Sequence, residues 1–163
     1  MPTVTVTFYR GRTLPALLVR WWSRRRGQAF SDVPSHCALI LGGKLFEFVA
    51  SGYSVRDAAP ADSAWTGTVC VPSIEALGSA VIGCLHERYD WAAIALDFAE
   101  RLLPPSIKVP HFAYSHKYDC SRAVYGWLRA GGWDAPGWIR QLAVPLSPND
   151  LLKALVETCS CLP

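Results

Sequence analysis

The chain is 163 residues long, 51% of its residues are hydrophobic, and its formal net charge is only +3. This length and composition favour one globular domain over residues 1–163 with a sizeable core. The small charge gives no electrostatic basis for binding nucleic acid. No run approaches roughly 18 apolar residues and the N-terminus lacks the pattern of a signal peptide, so we expect no transmembrane segment and synthesis in the cytoplasm.

The N-terminal segment predicts a strand and then a helix. Thr3 to Tyr9 alternates threonine with apolar residues, as a half-buried strand does, and Leu14 to Arg24 favours a helix. One face of this helix is expected to carry Leu17, Leu18, Trp21 and Trp22. Its end is rich in arginine, at Arg20, Arg24, Arg25 and Arg26. These cations predict either contact with an anionic surface, such as phospholipid or a teichoic polymer, or a solvated helix end that complements the helix dipole.

The dipeptide Gly42-Gly43 lies between two runs of strand type, Ser35 to Leu41 and Lys44 to Ala50. Such a dipeptide predicts a tight hairpin. A two-residue loop puts His36 and Glu47 on the same face of the hairpin, one diagonal step apart. A carboxylate beside an imidazole is the arrangement that orients a catalytic base. The alternative is an exposed edge hairpin that carries an unrelated His and Glu.

Beyond this hairpin the chain alternates turn-rich segments with apolar segments of strand or helix length. The predicted elements are a loop over Gly52 to Asp62, a strand over Gly67 to Val71, a helix capped by Ser73 and ending near Glu87, a helix over Trp91 to Leu103, a loop to Lys117, a strand near Gln141 to Pro145 and a helix opened by Ser147 and Pro148.

A further helix is expected to begin directly at a cysteine. Asp119 is a good N-cap and Cys120 then occupies the first helical position, while Val124, Trp127 and Leu128 follow at helical spacing. The positive end of the helix dipole lowers the pKa of a thiol there and favours the nucleophilic thiolate. The alternative is that Cys120 is a core residue, since cysteine is among the most buried residue types.

The other cysteines are weaker candidates for a nucleophile. The sequence contains no Cys-x-x-Cys spacing, so we expect mostly free thiols at positions 37, 70, 84, 120, 159 and 161. Cys37 should point to the opposite face of its strand from His36, and Cys70 and Cys84 should be buried. The tail pair Cys159 and Cys161 is either a frayed terminus or a weak metal or redox pair.

The order of these elements resembles that of the circularly permuted NlpC-type papain-like proteins. This branch includes YiiX-like hydrolases and, more distantly, lecithin retinol acyltransferase, and in it the histidine strand precedes the cysteine helix. The segments that carry the resemblance are SHCALIL, LFEF, RYDW, DCS and LSPNDLLKAL. No segment is specific alone, and the ordered set spans most of the chain.

The resemblance implies a role for each matching residue. Cys120 corresponds to the nucleophile, His36 to the general base and then acid, and Glu47 to the residue that orients the imidazole. Tyr89 corresponds to a tyrosine close to the nucleophile, where it can stabilise an oxyanion together with the backbone N–H of Cys120. Arg122 departs from the pattern, because many permuted members carry an acidic residue there.

The fold implied by the resemblance is α+β and papain-like, with a small antiparallel sheet packed against the nucleophile helix. The implied function is that of a thiol-dependent hydrolase that needs no cofactor or metal and cleaves an amide, such as a peptidoglycan peptide. One alternative is a lipid-directed esterase or acyltransferase, for which the paired tryptophans beside the arginine cluster would suit the substrate. Another is a non-catalytic phage or structural module with the same fold.

Overall fold

A five-stranded antiparallel sheet forms the centre of the computed structural model, which describes residues 1–24, 28–58, 64–91, 95, 117–141 and 146–158. The fold in these ranges is mixed α/β, with five α-helices. The strands are β1 (Thr3–Tyr9), β2 (His36–Leu41), β3 (Lys44–Val49), β4 (Gly52–Asp57), β5 (Trp65–Cys70), β6 (Arg88–Tyr89) and β7 (Lys117–Tyr118). The helices are α1 (Leu14–Ser23), α2 (Ile74–Gly83), α3 (Cys120–Ala130), α4 (Gly137–Arg140) and α5 (Pro148–Thr158). None of these helices has the length and apolar character needed to cross a bilayer.

The sheet has the strand order β4-β3-β2-β1-β5, and each neighbouring pair is antiparallel. Helix α3 packs on β2 and β3, and α2 packs against α3. Trp127 of α3 lies against Phe48 of β3, with ring centroids 6.1 Å apart. The predicted inward stripe of α3 is confirmed, because Val124, Trp127 and Leu128 are all buried. This packing brings the first turn of α3 to the sheet.

The turn between β2 and β3 has the predicted two-residue form. Gly42 and Gly43 have φ angles of 58° and 75°, and Leu41 pairs with Lys44. Two consecutive positive φ angles match the twist of a hairpin, and glycine adopts them without a Cβ clash. The side-chain alternation expected for β2 and β3 is therefore preserved.

The prediction of a loop over Gly52 to Asp62 is wrong for the first half of that segment, which forms the edge strand β4. Its turn-type residues have low β propensity, but pairing with β3 satisfies its backbone, and Tyr53 packs edge-on against Trp127. Pairing with a neighbour thus outweighs local preference. The strand also brings Arg56 to the neighbourhood of Glu47.

Several other boundaries differ from those predicted by a few residues. The strand predicted from Gly67 begins at Trp65, and the helix capped by Ser73 ends at Gly83 rather than near Glu87. The predicted caps are confirmed, because Ser73 Oγ accepts a hydrogen bond from the Ala76 N–H at 3.2 Å and Ser147 Oγ accepts one from the Asp150 N–H at 3.1 Å. The predictions that lie largely outside the described residues are the helix over 91–103, the loop to 117 and the strand near 141–145.

Helix α1 does not keep its four apolar residues on one face. Trp22 is buried, whereas Leu17, Leu18 and Trp21 are exposed. The prediction that Arg20 contacts an anionic surface is wrong, because its side chain is buried and only 8% exposed. The inward face is set by the end of the helix, where buried Ser23 meets α5. Arg20 shares that inward face.

The contact between α1 and α5 depends on Asn149. Its side-chain amide donates to the Ser23 carbonyl at 2.9 Å and also hydrogen-bonds the side chain of Gln28, and it is almost fully buried. We expect Asn149→Ala to lower the free energy of unfolding by about 1–3 kcal/mol, because buried polar groups lose their partner. Denaturant titration measures this, with Lys153→Ala on the same helix as a near-neutral control. An equally small loss in both variants would contradict the prediction.

Candidate active site

Cys120 is the first residue of α3, and Asp119 is its N-cap as predicted. Asp119 Oδ1 accepts hydrogen bonds from the Arg122 backbone N–H at 2.8 Å and from Ser121 Oγ at 2.9 Å. The carboxylate is thus turned toward the helix, where it accepts a hydrogen bond from a first-turn N–H that has no acceptor within the helix. Burial, together with the negative charge at Cys120, raises the pKa of Asp119 to about 6.

His36 and Glu47 lie side by side across the hairpin, which confirms the predicted contact. His36 Nε2 is 2.7 Å from Glu47 Oε2. The other carboxylate oxygen, Oε1, accepts a hydrogen bond from Arg56 Nε at 2.8 Å. Burial acts to raise the pKa of Glu47, but the two cationic partners outweigh it and hold the pKa below its usual value. Tyr9 packs near the imidazole, with ring centroids 5.9 Å apart.

The structure brings Cys120 close enough to His36 for each side chain to shift the pKa of the other. The neighbouring Cys37 is the largest influence on the Cys120 pKa, and with the positive charge of His36 it outweighs burial and lowers that pKa well below the usual range. Burial lowers the pKa of His36, but the neighbouring Cys120 and Glu47 raise it to about 10. The directions of these two pKa shifts favour a thiolate–imidazolium pair over a neutral thiol and imidazole.

Cys37 is a contact of the thiolate that the sequence did not reveal. Its side chain is fully buried on the core side of β2, as alternation with His36 predicts. Both its thiol and its backbone N–H act to lower the pKa of Cys120. Burial and the neighbouring thiolate raise the pKa of Cys37 well above the ordinary value. The raised pKa makes Cys37 a poor candidate for a nucleophile, and its nearness to Cys120 favours the thiolate form of Cys120.

Tyr89 lies near the nucleophile, where the resemblance implies it should be. Its strand β6 pairs in parallel with β7, which ends directly before Asp119. Tyr89 and Cys120 line the same small cavity, and burial followed by the nearby negative charges raises the pKa of Tyr89 above its usual value. The phenol thus stays protonated and can donate a hydrogen bond at any pH near neutrality.

Arg122, the departure from the family pattern, points toward carboxylates. Its guanidinium lies 3.4 Å from Asp119 Oδ2 and 3.9 Å from Asp90 Oδ2, and Asp90 is fully buried. It therefore bridges the end of β6 to the start of α3.

Two adjoining cavities lead to the site. A small one of about 20 Å³ is lined by Cys120, Tyr89 and Asp119, enough for roughly one water molecule. A groove of about 600 Å³ is lined by His36 and Glu47 together with many apolar side chains. Residues that line both are Val19, Ser35 and Tyr89. The groove therefore approaches the buried thiol from the side of the imidazole.

Comparison with protein families, with curated proteins and with solved structures found no match for this chain. Within the described ranges, no three His, Cys, Asp or Glu side chains gather in the manner of a metal site. Two residues at the site escaped the sequence analysis, Cys37 and Arg56. Arg56 could have been found by continuing the side-chain alternation of the hairpin into a third strand.

Glu47→Gln keeps the hydrogen-bonding shape but removes the charge that raises the His36 pKa. We expect turnover to fall by roughly one to four orders of magnitude, as when a triad carboxylate is neutralised. The His36 titration, near 10 in the unaltered protein, should move to lower pH in an NMR experiment. Arg56→Gln removes a cation and leaves Glu47 ionised in this pH range, so it should not move the His36 titration to lower pH. Lys44→Gln removes an exposed ion pair between the same two strands and is the control. Unchanged turnover and titration in Glu47→Gln would remove Glu47 from the site.

Cys120 should be the reactive thiol at low pH. Because its pKa is depressed, labelling by iodoacetamide should vary little between pH 6 and 8, whereas an ordinary thiol gains about tenfold per pH unit there. Cys70 was expected to be buried, which is wrong: it lies on the outward face of β5 and is exposed. It serves as the accessible control, whereas cysteines 159 and 161 lie outside the described residues. Mass-spectrometric mapping that finds Cys70 labelled first, with Cys120 inert, would contradict the prediction.

Proposed function

We propose that this chain is a thiol-dependent hydrolase with a papain-like site. The observation that carries the proposal is the placement of the Cys120 thiol, at a helix N-terminus, near His36, whose imidazole lies 2.7 Å from the Glu47 carboxylate. The thiolate attacks a carbonyl carbon, and the imidazolium donates its proton to the leaving group as the acyl-enzyme forms. Neutral His36 then takes a proton from water, which hydrolyses the acyl-enzyme.

The oxyanion formed in each step has two candidate donors. The backbone N–H of Cys120 belongs to the first turn of α3, where helical N–H groups have no acceptor within the helix. Tyr89 keeps its proton and lines the small cavity beside the thiol. Donors placed where negative charge develops typically lower the activation barrier by roughly several kcal/mol. These two groups would provide that stabilisation.

The favoured substrate is an amide, such as a peptidoglycan peptide, in keeping with the circularly permuted NlpC-type arrangement. Support for that arrangement comes from the order of the elements, since the hairpin with His36 and Glu47 precedes the helix with Cys120. An antiparallel sheet packed against α3 is also what such a fold requires.

A lipid-directed esterase or acyltransferase is the second candidate, and the groove favours it. Most of its lining is apolar, including Leu14, Leu18, Val19, Phe48, Val49 and Trp91. Largely apolar pockets with a few convergent polar groups suit apolar ligands. Contact with an anionic surface through the exposed Arg24, and through Arg25 and Arg26 outside the described residues, would fit either substrate.

Acylation of Cys120 tests the proposal. We expect 4-nitrophenyl esters and a synthetic peptide amide of the peptidoglycan-stem type to add an acyl mass to the unaltered protein and to Cys70→Ser, but not to Cys120→Ala. His36→Ala should slow acylation by at least about a hundredfold.

The pattern of substrates separates the candidates. Turnover of the amide with little effect of ester chain length supports an amidase, whereas rates that rise with acyl length support a lipid-directed enzyme. If no probe acylates Cys120 and Cys120→Ala behaves as the unaltered protein, the chain is a non-catalytic module.

A further inference from the structure

Helix α1 presents its apolar side to solvent. Its exposed residues are Leu14, Leu17, Leu18 and Trp21, of which Leu14 is 70% and Trp21 54% exposed. Spacings of three, one and three residues place them on a single stripe. The opposite side of the helix, with Arg20 and Ser23, is buried. A surface helix normally has the reverse arrangement, and a continuous exposed apolar stripe indicates a surface that meets a partner.

The same segment concentrates positive charge. Residues 1–31 contain six arginines and neither Asp nor Glu. The positive charge of this segment therefore exceeds the net charge of the whole chain, which is +3. Arg12 precedes α1 and Arg24 follows it, and both are exposed. The apolar stripe therefore has a cation at each end. Apolar side chains flanked by arginines match the boundary of a bilayer, where acyl chains lie beneath anionic headgroups.

We propose that α1 is an interfacial helix that docks this protein on an anionic phospholipid bilayer. The leucines and Trp21 enter the boundary between headgroups and acyl chains, while Arg12 and Arg24 meet lipid phosphates. A second copy of the chain fits this surface less well. In a two-fold symmetric dimer each patch faces itself, so the arginines of one copy would oppose those of the other.

The docked orientation has a consequence for the groove. Leu14 and Leu18 belong to the stripe and also line the groove that leads to His36. Docking through α1 therefore brings the groove mouth to the bilayer surface, from which an apolar substrate could enter without crossing water. This consequence rests on the proposed hydrolase function, whereas docking itself does not.

Vesicle co-sedimentation tests the docking. The probe is vesicles of roughly equal phosphatidylglycerol and phosphatidylcholine, compared with phosphatidylcholine alone, and every protein carries Cys120→Ala so that catalysis plays no part. We expect binding to the anionic vesicles, and at least about tenfold weaker binding for Leu14→Ser with Leu18→Ser, because each buried leucine contributes about tenfold. The matched control is Ile82→Ser with Val156→Ser, two exposed aliphatic residues on α2 and α5. It should bind as the parent does, and circular dichroism verifies that all variants fold.

The charges are tested separately with Arg12→Gln and Arg24→Gln combined. This variant should bind anionic vesicles several-fold more weakly at low salt, and the difference should shrink as salt shortens the screening length below about 8–10 Å. Lys153→Gln on α5 is the control for a change of charge elsewhere.

Three results would overturn the proposal. One is no binding of the parent to anionic vesicles at low salt. Another is full binding by the double serine variant, which would leave only a peripheral electrostatic contact. The third is a stable dimer in sedimentation that the same variant dissociates, which would make the stripe a self-association surface. Binding that persists while the Cys120 acylation experiment fails refutes the hydrolase proposal alone.

Discussion

A buried series of alternating charges organises the site: the thiolate of Cys120, the imidazolium of His36, the carboxylate of Glu47 and the guanidinium of Arg56. Each member except Arg56 is largely removed from water, and each charge is stabilised by the opposite charge beside it. Desolvation alone would neutralise the first three, since taking an ion out of water costs several kcal/mol. The series therefore requires that α3, β2, β3 and β4 remain packed together.

The helix dipole alone does not explain the depressed pKa of Cys120. It places roughly half a positive charge at the N-terminus, whereas Asp119 places up to a full negative charge one residue away. Two observations decide the competition. The Asp119 carboxylate is occupied by donors from the first turn, and its own pKa is raised to about 6. The neighbouring Cys37 and the positive charge on His36 both lower the pKa of the Cys120 thiol.

Helix α1 connects the site to the surface because its two sides serve different purposes. The inward side, through Ser23 and Asn149, attaches the helix to α5. The outward side carries leucines that also line the groove. An arrangement that exposes leucine and buries arginine lowers the stability of the isolated chain, so its benefit would come from a surface outside the chain. The proposed bilayer contact would provide that benefit and would give an apolar substrate direct entry to the groove.

The features that depend on residues close together in the chain could be predicted from the sequence. The Gly42-Gly43 turn and strand alternation brought His36 next to Glu47, and Asp119 with the stripe of α3 defined the start and inner face of that helix, because turns, caps and periodicity act over a few residues. Four other features follow from the tertiary structure: Gly52–Asp57 is a strand, Arg56 binds Glu47, Cys37 lies near Cys120, and α1 turns Arg20 inward. These features depend on pairing and packing between segments far apart in the chain, where a partner's backbone or surface outweighs local propensity.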